Sequence, residues 1–177
     1  MNIFIAGPRA INKLNKSVIH RIKNIIDNNY NIIVGDANGV DKAVQNFCYE
    51  QNYRNVKIYA TKGKARNNIG NWYVHNVDVP KNLKGFDFYA AKDYEMAKDA
   101  DYGLMIWNGI SKGTLNNTIN LLEMGKETVL YYSLEERLYV IKSLDGMKEF
   151  INRCDDKTKK LFIELSHKDF QLELNTY

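Results

Sequence analysis

The chain has 177 residues, 45% of them hydrophobic, and a formal net charge of +4. That length suits one domain with a proper core, and so mild and dispersed a charge argues against a nucleic-acid-binding surface. No signal-peptide pattern and no apolar span of about 20 residues occurs, so a cytoplasmic protein with no membrane partner is expected.

The elements follow in chain order. "NIFIAG", residues 2–7, is a short apolar run ending in glycine and reads as a buried strand. Leu14, Val18, Ile22, Ile25 and Ile26 recur at helical spacing. "NIIVG", residues 31–35, is a second strand, and Val40, Ala43, Val44, Phe47 and Cys48 make the next helical stripe. "NVKIYA", residues 55–60, is a third strand. From about Thr61 to Phe86 no period is sustained, and a loop of this length reads as a lid, a ligand-side insertion or a decoration.

Helical spacing resumes with Tyr89, Met96, Ala97 and Ala100. "DYGLMIW" is a fourth strand, Leu115, Thr118, Ile119 and Leu122 mark a helix, and "ETVLYY" is a fifth strand. "RLYVI" suits an edge strand, and two further helical stripes run through Met147–Cys154 and Leu161–Leu165. Alternating strands and helices imply parallel strands with helices packed on them. The expected fold is therefore α/β, a Rossmann-like, doubly wound, mostly parallel sheet of about five to six strands. One domain spans 1–177, with a core at about 2–132, an insertion at about 61–86 and a C-terminal addition at about 133–177.

Cys48 and Cys154 fall on apolar helical stripes and read as small buried hydrophobes. His20, His75 and His167 are scattered, so no metal site is expected, and no cofactor motif stands out.

Ligands of such sheets bind outside the carboxyl ends of the strands. Three strand ends carry glycine with polar neighbours. They are "AGPR" with Gly7 and Arg9, "GDANGVD" with Gly35, Asp36, Gly39 and Asp41, and "WNGISKGT" with Asn108, Gly109, Ser111, Gly113 and Thr114. Each alone is also an ordinary strand-to-helix turn. Together they suggest one phosphate-receiving edge, where unpaired amides at a helix start carry partial positive charge. Arg9 is a planar donor for phosphate or carboxylate, or else a surface ion-pair partner. Asp41 is a ligand contact or a helix-start charge. Asp36 suits a ribose hydroxyl, and Trp107 either stacks on a base or belongs to the core. Neither G-x-G-x-x-G after the first strand nor G-x-x-x-x-G-K-[ST] is present, which disfavours the ordinary dinucleotide oxidoreductases and P-loop enzymes.

"AGPR", "IIVGDANGVDKAV" and "KDYEMAKDADYGLMIWNGISKGTLNNTINLL" in this order resemble the SLOG superfamily, named for the Smf/DprA proteins and the LOG nucleotide hydrolases. The nearest likeness is to its YspA-like members, over roughly residues 2–132. The resemblance implies a sheet that binds a nucleotide or nucleotide-derived ligand. Gly109, Ser111, Gly113 and Thr114 match its phosphate loop, Gly7 and Arg9 its first loop, and Gly35, Gly39 and Asp41 its second motif. Lys92, Asp93 and Met96 match a basic-Asn/Asp-x-x-Met element, with Lys92 where arginine is often found. It also implies association into homo-oligomers, with residues 86–94 and the helix after Thr114 as candidate contacts; the aromatics of 86–94 suit a monomer core equally.

LOG-type hydrolases carry a glutamate three residues past their glycine-threonine pair. That position is Asn117 here, which cannot act as a base. The resemblance therefore implies a binding protein: a sensor, carrier or sequestering module of the kind thought to read nucleotide-like signals in phage–bacterium conflict. The alternative is a nucleotide N-glycosidic hydrolase or deoxyribosyltransferase-like enzyme, with Asp36, Asp41 and Asp93 as candidate catalytic groups. A DprA-like DNA-binding role is disfavoured by the charge.

Overall fold

The computed structural model describes residues 1–61 and 63–166. His167 and the rest of the expected C-terminal addition from there on lie outside the described residues. The strands are β1 (Asn2–Ala6), β2 (Asn31–Gly35), β3 (Val56–Thr61), β4 (Tyr73–Val77), β5 (Tyr102–Trp107), β6 (Thr128–Tyr132) and β7 (Arg137–Ile141). The helices are α1 (Lys16–Asp27), α2 (Val40–Glu50), α3 (Gly85–Asp99), α4 (Lys112–Glu123), α5 (Leu144–Ile151) and α6 (Asp156–Ser166).

The strands form one sheet in the order β4-β3-β2-β1-β5-β6-β7. All pairs are parallel except β6 with β7, which run antiparallel. The chain is thus α/β with a Rossmann-like, doubly wound sheet. Successive strand residues face opposite sides, so each central strand feeds two cores. Phe4, Ile33, Tyr59, Met105, Trp107 and Leu130 pack on one face with α3, α4, α5 and α6. Ile5, Val34, Ile58, Ile106 and Val129 pack on the other with α1 and α2. Burial on both faces explains why these strands read as continuous apolar runs.

The sequence expectation of five to six strands falls short by β4. Residues 73–77 read "YVHNV", and only Val77 is buried, so no apolar run announces a strand. Pairing with β3 along Lys57↔Tyr73 to Thr61↔Val77 makes it an edge strand. The stretch before it is also ordered. The Asn68 side chain donates to the Trp72 carbonyl at 2.8 Å and accepts from the Trp72 amide at 2.9 Å. The Trp72 indole is buried and donates to the Tyr53 carbonyl at 3.0 Å. The long segment is a staple plus a sheet edge. Among the described residues, no helix is long and apolar enough to cross a membrane.

The strand order reverses direction between β1 and β5. A crevice opens at such a switch point because the connections from the two strands leave to opposite faces. Helix α2 follows β2 on one face and α4 follows β5 on the other.

Candidate functional site

A cleft of about 390 Å³ lies at this switch point. The loop after β1 gives Gly7, Pro8 and Arg9, and the end of β2, the loop after it and the first turn of α2 give Gly35, Ala37 and Asp41. One face of α3 gives Phe86, Tyr89, Lys92, Asp93 and Met96, and the start of α4 gives Ser111, Gly113, Thr114 and Asn117. Arg66, from the segment between β3 and β4, completes the lining.

Close backbone approach requires glycine at Gly7, and the missing side chain of Gly35 leaves room for two charged groups. A Cβ on Gly7 would lie 2.6 Å from Val40 Cγ2 and 2.8 Å from the Ile106 carbonyl oxygen. A Cβ on Gly35 would lie 2.4 Å from Asp41 Oδ2 and 2.9 Å from Lys92 Nζ. Gly39 does not line the cleft; it has φ +82° and lets the Arg9 backbone pass where its own Cβ would sit, 2.4 Å from Arg9 Cα. The second glycine motif therefore seats the first loop, and with it Arg9.

Helix α4 starts at the cleft. Ser111 is its N-cap, accepting from the Thr114 amide at 3.4 Å, with its hydroxyl 3.0 Å from the Thr114 hydroxyl. The first amides of a helix have no intrahelical partner, and the helix dipole makes this end attractive to anions. A Cβ on Gly113 would meet nothing within 4 Å, so the space above this turn is open.

The rest of the "WNGISKGT" loop supports this turn from behind. Asn108 Oδ1 accepts from the Ser111 amide at 3.0 Å and the Ile110 amide at 3.3 Å. Gly109 takes φ +82° and its carbonyl accepts from the Thr158 hydroxyl of α6 at 3.0 Å. Trp107 is fully buried, 5.5 Å from Tyr132 ring to ring, and its indole donates to the Ser111 carbonyl at 3.1 Å. Of its two sequence readings, base platform or core, the core holds. Trp107, Asn108 and Gly109 lie outside the cleft lining.

The floor is charged. Lys92 Nζ lies 3.0 Å from Asp93 Oδ1, and Asn117 Nδ2 donates to Asp93 Oδ2 at 3.3 Å. Asp41 Oδ2 accepts from the Ala37 amide at 3.2 Å. Burial pushes the Asp41 carboxyl up, Lys92 pulls it back, Asp93 pushes it up again, and the balance falls at about 7. Burial pulls the Lys92 ammonium down, but Asp93 and Asp41 outweigh this and hold it above the ordinary lysine value. Asn117 is buried, and its Oδ1 has no hydrogen-bond partner among the described residues.

Asp36 is buried but turned away from the cleft. Its carboxylate accepts from Arg66 Nη2 at 2.7 Å, Arg66 Nε at 3.1 Å and the Arg66 amide at 3.0 Å. Burial raises its carboxyl, and the Arg66 hydrogen bonds outweigh this to hold it below the ordinary value. The expectation of Asp36 as a ribose acceptor meets a carboxylate that already accepts three hydrogen bonds from Arg66 and does not line the cleft. The guanidinium of Arg66 then lies 5.5 Å from the Tyr89 ring centroid, and that of Arg9 lies 5.1 Å from it.

The cleft thus brings together Gly7, Arg9, Gly35, Asp41, Lys92, Asp93, Ser111, Gly113 and Thr114 from four separate stretches of chain. Sequence reasoning gave no site role to Phe86, Tyr89 or Asn116. They lie on helix faces, and no local motif marks which face meets the cleft. Arg66, with Trp72 and Tyr73, stands out in the sequence only as part of the aperiodic segment read as able to close over a ligand. Chemically, the arrangement offers an anion seat at α4, an arginine-lined wall, and a floor of held carboxylates that accept hydrogen bonds. Among the described residues no group of three His, Cys, Asp or Glu side chains is placed to hold a metal ion. No protein-family model and no curated protein matches the chain.

Proposed function

We propose that this is a SLOG-type protein that binds a nucleotide or nucleotide-derived small molecule as a sensor, carrier or sequestering module. One observation carries this reading. The open first turn of α4 and Arg9 meet in a single cleft at the strand-order reversal. A phosphate suits that turn, since the first amides of a helix carry partial positive charge where negative charge is favoured. The volume of about 390 Å³ is in the range of small-molecule sites. The acceptors on the floor suit a hydroxyl-bearing sugar better than a second phosphate. The reading is tested by calorimetric titration of mononucleotides, cyclic nucleotides and ADP-ribose. Binding that Arg9→Ala and Gly113→Asp both weaken supports it; binding indifferent to both removes the site.

A second reading, N-glycosidic cleavage or deoxyribosyl transfer on a similar ligand, is favoured by one feature. Asp93 is held on the cleft floor from two sides, by Lys92 and by Asn117, as a working carboxylate is. Among the three candidate aspartates, Asp36 pairs with Arg66 and does not line the cleft, and Asp41 accepts from the Ala37 amide, which favours Asp93 for this role. Release of free base that Asp93→Asn abolishes would establish it.

A further inference from the structure

Three side chains from distant parts of the chain, Arg9, Arg66 and Tyr89, meet at the cleft. Tyr89 of α3 lines the cleft and stays 39% exposed. The guanidinium of Arg9 stands 5.1 Å from its ring centroid and that of Arg66 stands 5.5 Å from it. Arg66 follows β3, whereas α4 follows β5, and β2 and β1 lie between them in the sheet. Arg66 and the α4 turn therefore come from opposite sides of the strand-order reversal.

We infer that Tyr89, flanked by Arg9 and Arg66, is the platform that receives the base of the nucleotide. The inference rests on the nucleotide reading above and adds where the base goes and what holds it. Aromatic rings and guanidinium planes are the two side-chain surfaces on which bases stack, and here both guanidinium groups lie over the Tyr89 ring and extend that surface. Asp36 fixes the geometry of the platform. It takes the Nε and Nη2 side of Arg66, and the outer edge of that guanidinium keeps donors for acceptors on a base. Asp36 is thereby a positioning residue, acting through Arg66. The other large aromatic considered for stacking, Trp107, is sealed in the core at 0% exposure.

A phosphate seated at α4 then leaves the sugar over the floor and directs the base toward Tyr89. The platform is tolerant of base identity, because stacking needs only a flat π face, and the Arg66 edge favours bases with paired acceptors.

The test is calorimetric titration of the full chain with AMP, GMP, CMP, UMP and ribose 5-phosphate, for wild type, Tyr89→Ala and Tyr89→Phe. The wild type is expected to bind at least one nucleotide more tightly than ribose 5-phosphate. Tyr89→Ala is expected to shrink that preference by about 5- to 100-fold, and Tyr89→Phe to keep most of it. Equal weakening of nucleotide and ribose 5-phosphate by Tyr89→Ala overturns the platform, as does a loss in Tyr89→Phe as large as in Tyr89→Ala. Wild type that binds ribose 5-phosphate as well as every nucleotide overturns the platform while leaving the phosphate seat intact. Wild type that binds none of the five ligands overturns the platform for mononucleotides, and failure to bind cyclic nucleotides and ADP-ribose as well removes the nucleotide reading with it.

Discussion

Asp36 holds Arg66 by three hydrogen bonds at once, two from the guanidinium and one from the backbone amide, at 2.7, 3.1 and 3.0 Å. The pair ties the segment after β3 to the end of β2. Next to it, the Gln45 side chain donates to the Gly35 carbonyl at 2.9 Å and accepts from the Ile69 amide at 3.1 Å. Through these bonds a stretch without periodicity becomes a fixed wall of the cleft.

Arg66→Ala is expected to cost more stability than its half-exposed position suggests. It leaves a buried carboxylate with its backbone partner but without its counter-charge, at a cost of roughly 2 kcal/mol. Asp36→Asn keeps the shape, frees an exposed cation and is expected to cost less, about 1 kcal/mol. Urea unfolding of both variants measures the order, and Asp36→Asn as the costlier change would mean that the carboxylate matters for something besides Arg66.

Gly39 and Gly113 separate folding from binding. Gly39 has φ +82° and the Arg9 backbone where a Cβ would go, so Gly39→Ala is strained twice over. It is expected to destabilise by about 2 kcal/mol or more, and thermal unfolding reports it. Gly113 faces open space on the cleft, so Gly113→Ala is expected to leave the melting temperature within a degree or two while its methyl intrudes on the α4 turn. Weaker ligand binding without lost stability is the expected signature in titration calorimetry.

Asp41 predicts a pH dependence of stability. Its folded carboxyl sits at about 7, above the unfolded value near 3.9, so the folded chain binds the extra proton. Its contribution therefore falls as pH rises from about 4 to about 7 and is flat beyond, with a slope approaching 1.4 kcal/mol per pH unit at most. Asp36 works in the opposite sense. Its carboxyl is held low, so the stability it supplies is present above the unfolded value and is lost as pH falls through the folded one. The two windows lie on either side of about pH 4. Asp41→Asn is expected to remove the slope between about pH 4 and 7 in urea unfolding series; an unchanged slope assigns it to another group.

Asn117→Asp tests the floor. The native amide donates to Asp93 at 3.3 Å, and a carboxylate there faces another carboxylate. The variant is expected to lose about 2 kcal/mol at neutral pH and to regain part of it on acidification, as one of the two aspartates takes a proton. Stability that is unchanged by the substitution at neutral pH would contradict the Asp93–Asn117 contact.

Much of the fold was legible because the central strands are apolar on both faces and the helices α1 and α2 carry clean apolar stripes. Strand β4 was not, since Tyr73, Val74, His75 and Asn76 at a sheet edge need no apolar pattern; backbone pairing with β3 makes the strand. The start of α3 was also obscure. Its buried positions include Lys92, whose ammonium is compensated by Asp93 and Asp41, so its stripe breaks where the cleft begins. At the site, Gly7 was legible because close backbone approach at a strand end admits little else, whereas nothing crowds Gly113. Trp107 was ambiguous, and its parity with Met105 on β5 settles it, since both side chains fall on the α4 face. Tyr89 and Arg66 meet only through the packing of segments far apart in sequence.

The central claim is that the α4 turn and Arg9 hold a nucleotide-type ligand. The most direct measurement is mass spectrometry of the protein after incubation with mixed mononucleotides, cyclic nucleotides, NAD and ADP-ribose species, with bound and free fractions both identified. The account predicts an intact phosphate-bearing nucleotide retained by the wild type and lost from Gly113→Asp. Retention of no member of the panel, or equal retention by Gly113→Asp, would contradict it; free base or sugar phosphate in the unbound fraction would make the protein an enzyme and direct attention to Asp93.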